Sequence, residues 1–158
     1  FSCGMEIVPK YKMKYHNMPE LGTLVGEKLG LALKSMHYEP ALDIVVPVPL
    51  HKSKLRQRGY NQSEYFAQGL AKRLGADIVT DAVIRVRDTE TQTRKSRVQR
   101  WRNVDDIFKV EDSSSLSGKN VLLVDDVITT GSTIEACGQA IATSGAKTLS
   151  IAAMAAAK

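Results

Sequence analysis

Val121-Leu-Leu-Val-Asp-Asp-Val-Ile-Thr-Thr-Gly-Ser-Thr133 is the stretch that decides the fold of this 158-residue chain. Four apolar residues run directly into two adjacent carboxylates, a loop of small residues follows, and Ile134 to Ala142 has a helical pattern. We therefore predict a buried parallel strand, a turn at its carboxyl end and the N-terminus of a helix. Open α/β sheets bind their ligands at such a point.

The loop and the two acids are complementary to different halves of one ligand. The loop offers four hydroxyls and one glycine: Thr129, Thr130, Gly131, Ser132 and Thr133. With the free N–H groups of the first helical turn and the helix dipole, these residues favour a phosphate. Asp125 and Asp126 can accept hydrogen bonds from a vicinal diol, such as the two hydroxyls of a ribose. A sugar phosphate satisfies both halves.

Three other interpretations of this segment are less consistent with the sequence. An apolar strand ending in two acids also occurs in P-loop NTPases, but the chain has no Gly-x-x-x-x-Gly-Lys-Ser/Thr loop, since Gly118-Lys119 is followed by Asn120. A Gly-x-Gly-x-x-Gly dinucleotide fingerprint is absent as well. An ordinary strand–turn–helix explains neither the acid pair nor the run of hydroxyls.

The segment resembles the phosphoribosyl pyrophosphate (PRPP) motif of type I phosphoribosyltransferases. That resemblance implies that the acid pair binds the ribose 2′- and 3′-hydroxyls and that the loop wraps the 5-phosphate. A closer resemblance, from about residue 20 to the end, is to the ComF (GntX-like) branch. It rests on Asp43-Ile-Val-Val-Pro-Val-Pro-Leu-His51, Arg58-Gly-Tyr-Asn-Gln62, and Thr91-Gln-Thr-Arg-Lys-Ser-Arg97 with Arg100 and Asn103.

The resemblance also implies roles for two further segments. The pyrophosphate-loop candidates follow the first predicted strand: Val48, Pro49, Leu50 and His51. A Pro-rich strand end without a ligand is the alternative there, and His51 is expected to be a loop or cap residue. Residues 88–103 take the place of the flexible catalytic loop, a lid that excludes water around a cationic transition state. Arg94 and Lys95 are its catalytic candidates, with Arg97 and Arg100 next.

The implied reaction is displacement of pyrophosphate from PRPP at the anomeric carbon by an acceptor that the sequence does not identify. Mg²⁺ would arrive with PRPP and bridge the diphosphate and the ribose hydroxyls; no residue is assigned as a metal ligand of its own. The alternative is a catalytically silent module of the competence and DNA-uptake machinery that binds single-stranded DNA or competence proteins. The sequence is also compatible with a homodimer.

Length and composition agree with a small globular unit. We expect 158 residues to form a single phosphoribosyltransferase-like domain. No apolar run reaches membrane-spanning length and no secretory pattern is present. Cys3 and Cys137, the two cysteines, favour a reducing cytoplasm over a disulfide framework. Because ComF-like proteins carry a cysteine-rich segment before this point, we expect a fragment that lacks it.

The positive charge is local. Lys and Arg number 22 against 17 acids, and eleven of these cations lie within residues 51–58 and 85–102. The rest of the chain has 11 cations against 15 acids. Two basic segments predict an anionic ligand, either a diphosphate ester or nucleic acid; a solvated basic face is the alternative.

Alternating strands and helices predict the fold class. Helices are expected at 19–37, 60–74 and 132–144, and strands at 44–48, 83–86, 107–110, 120–125 and 147–154. Gly22, Gly26 and Gly30 recur every four residues on the first helix and predict a close-packing face. The result is an α/β fold of three layers: a mostly parallel sheet with helices on both faces, as in type I phosphoribosyltransferases.

Overall fold

The computed structural model describes residues 18–87 and 107–156. These ranges contain four helices: α1 (Pro19–Ser35), α2 (Lys52–Arg58), α3 (Gln62–Leu74) and α4 (Ser132–Thr143). They contain six strands: β1 (Ile44–Pro47), β2 (Asp77–Ile78), β3 (Val83–Arg85), β4 (Phe108–Val110), β5 (Asn120–Ile128) and β6 (Thr148–Ala156).

Four strands form a parallel sheet in the order β2-β1-β5-β6. Ile44 to Pro47 of β1 pair with Val121 to Val124 of β5, so β1 stops alongside the middle of β5. On its other side β5 remains paired with β6 as far as Ile128, which lies opposite Ala156. Among the described residues, the second half of β5 therefore has a neighbouring strand on one side only.

The two faces of the sheet are covered by different helices, because side chains alternate along each strand. Val121 and Leu123 of β5 belong to one core, together with Ile134 and Ile141 of α4. Leu122 and Val124 face the opposite way. They pack in a second core with Val45 and with helix residues Leu33, Phe66 and Leu70. The predicted three-layer α/β fold is confirmed.

Helices α1 and α3 pack with almost no space between their backbones. A Cβ atom built on Gly26 would overlap the carbonyl oxygen of Phe66, and one built on Gly69 would overlap that of Thr23. The close-packing face predicted for α1 is therefore correct. Glu27 of α1 adds an ion pair with Lys72 at 2.8 Å and with Arg73 at 2.5 Å.

The structure departs from the sequence expectations at several elements. Strand β5 does not end at residue 125; it extends to Ile128, because β6 continues to supply hydrogen-bond partners. Helix α2 and the two-residue strand β2 were not predicted. Strands β3 and β4 pair antiparallel as a separate two-stranded sheet.

No helix within residues 18–87 and 107–156 is both long and apolar enough to cross a membrane.

Candidate functional site

The candidate site lies where the connections of the parallel sheet diverge. The chain leaves β1 through α3 on one face of the sheet to reach β2, and leaves β5 through α4 on the other face to reach β6. The carboxyl ends of β1 and β5 therefore flank a crevice, the place where open α/β sheets bind ligands. The two ligand-binding segments predicted from the sequence, at 48–51 and 125–133, both begin there.

The acid pair occupies the part of β5 that β1 no longer covers. The last bond between the two segments runs from the Val48 N–H to the Val124 carbonyl at 2.8 Å. Asp125 is only 9% exposed, whereas Asp126 is half-buried. The Asp126 N–H donates to Asp125 Oδ1 at 2.9 Å, and the Val127 N–H donates to Asp126 Oδ1 at 2.8 Å.

A serine from another element completes this arrangement. Ser63 Oγ donates to Asp125 Oδ1 at 3.1 Å and accepts the Asp126 N–H at 3.1 Å. The hydroxyl thus satisfies a backbone donor of β5 beyond the point where β1 has left the sheet. Ser63 itself is buried, at 3% exposure.

Ionisation of both Asp125 and Asp126 is unfavourable. Burial, reinforced by the neighbouring Asp126 carboxylate, raises the pKa of Asp125 to about 7. The hydrogen bond from Ser63 acts in the opposite direction on the same pKa. A carboxyl group that titrates near neutrality in a crevice is the kind of perturbed group that ligand sites contain.

The predicted phosphate loop leads directly into α4. Gly131 is the N-cap residue, with φ of 81°, and it supplies no side-chain cap, but the Ser132 N–H donates to Thr130 Oγ1 at 3.5 Å. The Thr130 and Ser132 hydroxyls contact each other at 2.9 Å; Thr129, Thr130 and Ser132 are exposed, while Thr133 is half-buried. The first turn of α4 therefore combines backbone N–H groups that the N-cap residue leaves uncapped with a group of hydroxyls, as an anion site requires.

The predicted pyrophosphate loop is held against the start of α3. Val48 is buried, and Pro49, Leu50 and His51 are half-buried. Asn61, 3% exposed, donates from Nδ2 to the Val48 carbonyl at 3.0 Å. His51 caps α2, since its Nδ1 accepts the Ser53 N–H at 3.4 Å, which agrees with the cap role expected for it.

Of the two basic segments, the first is described by the structure, whereas the predicted catalytic residues of the second are not. Residues 52–58 form α2, which has no buried residue and follows directly after the predicted pyrophosphate loop. The catalytic candidates Arg94 and Lys95, with Arg97 and Arg100, lie outside the described residues.

A cavity of about 580 Å³ lies elsewhere, between β4 and the side of α4 that carries Ala136, Ala140 and Thr143. Its lining includes neither the acid pair nor the loop 129–133, so it is separate from the candidate site between β1 and β5.

The side chains of the site offer few ligands for a metal ion. No cluster of three or more His, Cys, Asp or Glu side chains in the described ranges could hold a metal ion. Two adjacent carboxylates supply too few oxygens for a resident site, but Mg²⁺ is commonly bound through substrate phosphates and few protein groups. The residues therefore fit a Mg²⁺ ion that enters with a diphosphate ligand.

Sequence reasoning did not find Asn61 or Ser63 as site residues. Asn61-Gln-Ser-Glu64 follows the capping-box pattern, and Asn61 Oδ1 indeed accepts the Ser63 N–H at 3.2 Å. That pattern predicts a helix start at Asn61. It carries no information on the contact with Asp125, which lies 62 residues away along the chain.

The chain is similar in sequence to two curated bacterial proteins. The chain is 38% identical over 112 residues to "DNA utilization protein YhgH" of Salmonella typhi, covering 71% of this chain and 48% of that protein. It is 33% identical over 127 residues to "Competence protein F" of Haemophilus influenzae, covering 78% of this chain and 56% of that protein. The chain thus spans about half the length of these relatives.

The fold is similar to that of adenine phosphoribosyltransferase from Saccharomyces cerevisiae, with a TM-score of 0.57 and 21% identity over 89% of this chain and 70% of the other. The phosphoribosyl transferase domain family matches residues 61–158, which include α3, the acid pair and the loop 129–133. The chain belongs to this family, in its ComF-like type I branch.

Proposed function

We propose that this chain binds PRPP, or a related ribose 5-phosphate compound, in the crevice between β1 and β5. The loop 129–133 and the start of α4 would hold the 5-phosphate, and Asp125 and Asp126 would accept hydrogen bonds from the ribose diol. The observation that carries this proposal is the continuity of acid pair, hydroxyl-rich loop and uncapped helix at the point where the strand order reverses.

We further propose that the chain transfers the phosphoribosyl group. An acceptor would form a bond to the anomeric carbon as the bond to pyrophosphate breaks and the electron pair leaves with pyrophosphate. Positive charge that develops on the sugar ring would be stabilised by carboxylates fixed beside it. Mg²⁺ entering with the ligand would neutralise charge on the diphosphate. The roles of Arg94 and Lys95 in closing over that diphosphate, and of residues 48–51 in contacting it, remain predictions.

Calorimetric titration with PRPP in the presence and absence of Mg²⁺ tests the binding step. We expect saturable binding that depends on Mg²⁺, followed by pyrophosphate release when the correct nucleobase or other acceptor is added. Absence of PRPP and ribose 5-phosphate binding by the folded protein would refute the proposal.

A second candidate function is nucleic-acid binding, without catalysis or beside it. It is favoured by α2, where Lys52, Lys54, Arg56 and Arg58 lie on a helix that has no acidic residue in its first turn and buries no side chain. The printed names of the relatives, a DNA utilization protein and a competence protein, agree with it. A cytoplasmic location, association with competence proteins and a homodimer are parts of this wider proposal.

Salt dependence separates the two candidates. Affinity for single-stranded DNA through α2 would rise with strand length and fall with salt, with a logarithmic slope of about −0.7 per phosphate neutralised. Replacing Arg56 and Arg58 by Glu should weaken DNA binding and leave PRPP binding unchanged. A DNA affinity that is independent of both strand length and these two arginines would exclude α2 as the binding surface.

A further inference from the structure

The Ser63 hydroxyl forms hydrogen bonds that a serine at the start of a helix does not ordinarily form. It is the second residue of α3, where a serine hydroxyl commonly bonds to its own helix turn. Here the hydroxyl instead bonds to Asp125 and to the backbone of Asp126, more than 60 residues further along the chain. At 3% exposure, the hydroxyl is largely shielded from water that would compete for these bonds.

Ser63 is also held in place through Asn61. Its N–H donates to Asn61 Oδ1 at 3.2 Å, and Asn61 Nδ2 donates to the Val48 carbonyl at 3.0 Å. A continuous chain of hydrogen bonds therefore crosses the crevice from the end of β1, through the start of α3, to the acid pair on β5. It joins the two segments that carry the proposed ligand contacts.

The acid pair needs such a restraint. Adjacent carboxylates repel each other, and in the described part of the chain no strand pairs with β5 after Val124 on the side that faces β1. Asp125 Oδ1 accepts hydrogen bonds from both the Ser63 hydroxyl and the Asp126 N–H, and these two bonds fix the orientation of the carboxylate. The Asp126 N–H is shared between Ser63 Oγ and Asp125 Oδ1, which fixes the backbone from which the second carboxylate projects.

We propose that Ser63 is a positioning residue for the acid pair: its hydroxyl sets the relative orientation of the two carboxylates that receive the ribose diol. This inference rests on the proposed function. It predicts that Ser63 matters for the sugar half of the ligand and not for the phosphate half, because α4 and the loop 129–133 make no contact with it among the hydrogen bonds described.

The test compares ribose 5-phosphate, which contains both the sugar and the phosphate, with inorganic phosphate. Ser63→Ala should weaken binding of ribose 5-phosphate about tenfold, the effect of losing a hydrogen bond to a charged group. Binding of inorganic phosphate should not change. Ser63→Thr, which retains the hydroxyl, should restore affinity. Ser63→Cys keeps the volume of the side chain but is a weak donor and acceptor, so it should show the same loss as Ser63→Ala.

Ser150→Ala is the matched control. Ser150 is 8% exposed and its hydroxyl contacts Tyr38 at 2.8 Å, but it pairs with Leu122, three positions before Asp125. This variant should lose stability without losing affinity for ribose 5-phosphate.

The negative outcomes differ in what they overturn. If the wild-type protein binds ribose 5-phosphate, and Asp126→Asn weakens that binding, but Ser63→Ala and Ser63→Cys do not, the inference is wrong and the proposed function stands. The inference is also wrong if Ser63→Ala weakens phosphate and ribose 5-phosphate equally. If the folded wild-type protein binds PRPP but not ribose 5-phosphate, the same comparison of variants is made with PRPP. If it binds neither ligand, the proposed function fails and the inference fails with it.

Discussion

The two ends of β5 differ in how their polar groups are satisfied. At the amino end, the Asn120 N–H donates to Asp43 Oδ2 at 2.7 Å, and the Asn120 side chain donates to the Ala41 carbonyl and accepts from Thr148 Oγ1. Each donor there meets an acceptor. At the carboxyl end two carboxylates are adjacent, and the pKa of the buried Asp125 is raised to about 7. We infer that the amino end contributes stability, whereas the carboxyl end keeps unfavourable electrostatics that a ligand can relieve.

The largest effect is expected from removing both charges at the carboxyl end. Asp125→Asn combined with Asp126→Asn should reduce PRPP affinity by about a hundredfold or more, because the carboxylates that accept from the ribose diol are replaced by neutral amides, which are weaker acceptors. Calorimetry measures the affinity and circular dichroism confirms that the variant is folded. Unchanged affinity would remove the acid pair from the site.

The next effect concerns stability and pH. Because the pKa of Asp125 rises from 3.8 in the unfolded chain to about 7 in the folded protein, its native state holds the proton more tightly. The contribution of Asp125 to the free energy of unfolding should therefore fall as pH rises from about 4 to 7, and this contribution should change no further above that range. Asp125→Asn should lack this fall and gain on the order of 2 to 4 kcal/mol over the wild type at pH 8.

Urea unfolding of both proteins at pH 5 and pH 8 measures this difference. If the two proteins lose stability in parallel between those pH values, Asp125 is not the group that titrates.

Two glycines at opposite ends of β5 give a smaller, matched comparison. Gly118 (φ 71°) precedes the strand and Gly131 (φ 81°) follows it, and a Cβ would meet no atom at either position. Replacement by Ala should cost each variant about 1 kcal/mol of stability through backbone strain alone. Only Gly131→Ala should also weaken phosphate binding, measured by calorimetry. Equal phosphate affinities of the two variants would place the anion site elsewhere.

The smallest effect is expected at Asn120. Asn120→Ala removes two side-chain hydrogen bonds in a partly exposed setting and should lower the free energy of unfolding by about 1 kcal/mol. Chemical denaturation measures the loss, and PRPP affinity should be unchanged. A loss of affinity would mean that the two ends of β5 are coupled.

The order of strand, acid pair, loop and helix at the carboxyl end of β5 could be predicted from the sequence because these features are local. Apolar run, acids, hydroxyl loop and helix start all lie within 13 residues. The extent of the strand could not be predicted, since the two acids interrupt the apolar run and the pairing that extends β5 to Ile128 comes from β6. Pairing with a distant strand overrides the weak β-propensity of aspartate.

The β1 side of the crevice was less predictable for a similar reason. Helix α2 has four cations in seven residues and no apolar face, so periodicity could not reveal it; the His51 cap and Gly59 (φ 79°) define its ends. The contact of Ser63 with the acid pair depends on how α3 packs against the sheet. Neither composition nor spacing encodes that packing directly.

The glycine contacts between α1 and α3 have a consequence for ligand binding. Gly26 and Gly69 bring the backbones of the two helices so close that α3 cannot slide or roll without an overlap of main-chain atoms. Ser63 stands in the first turn of that helix. Its hydroxyl is therefore already in place before a sugar arrives, and little conformational entropy needs to be lost there on binding. One glycine on each of two packed helices thus helps to hold the Ser63 side of the crevice in position for a ligand.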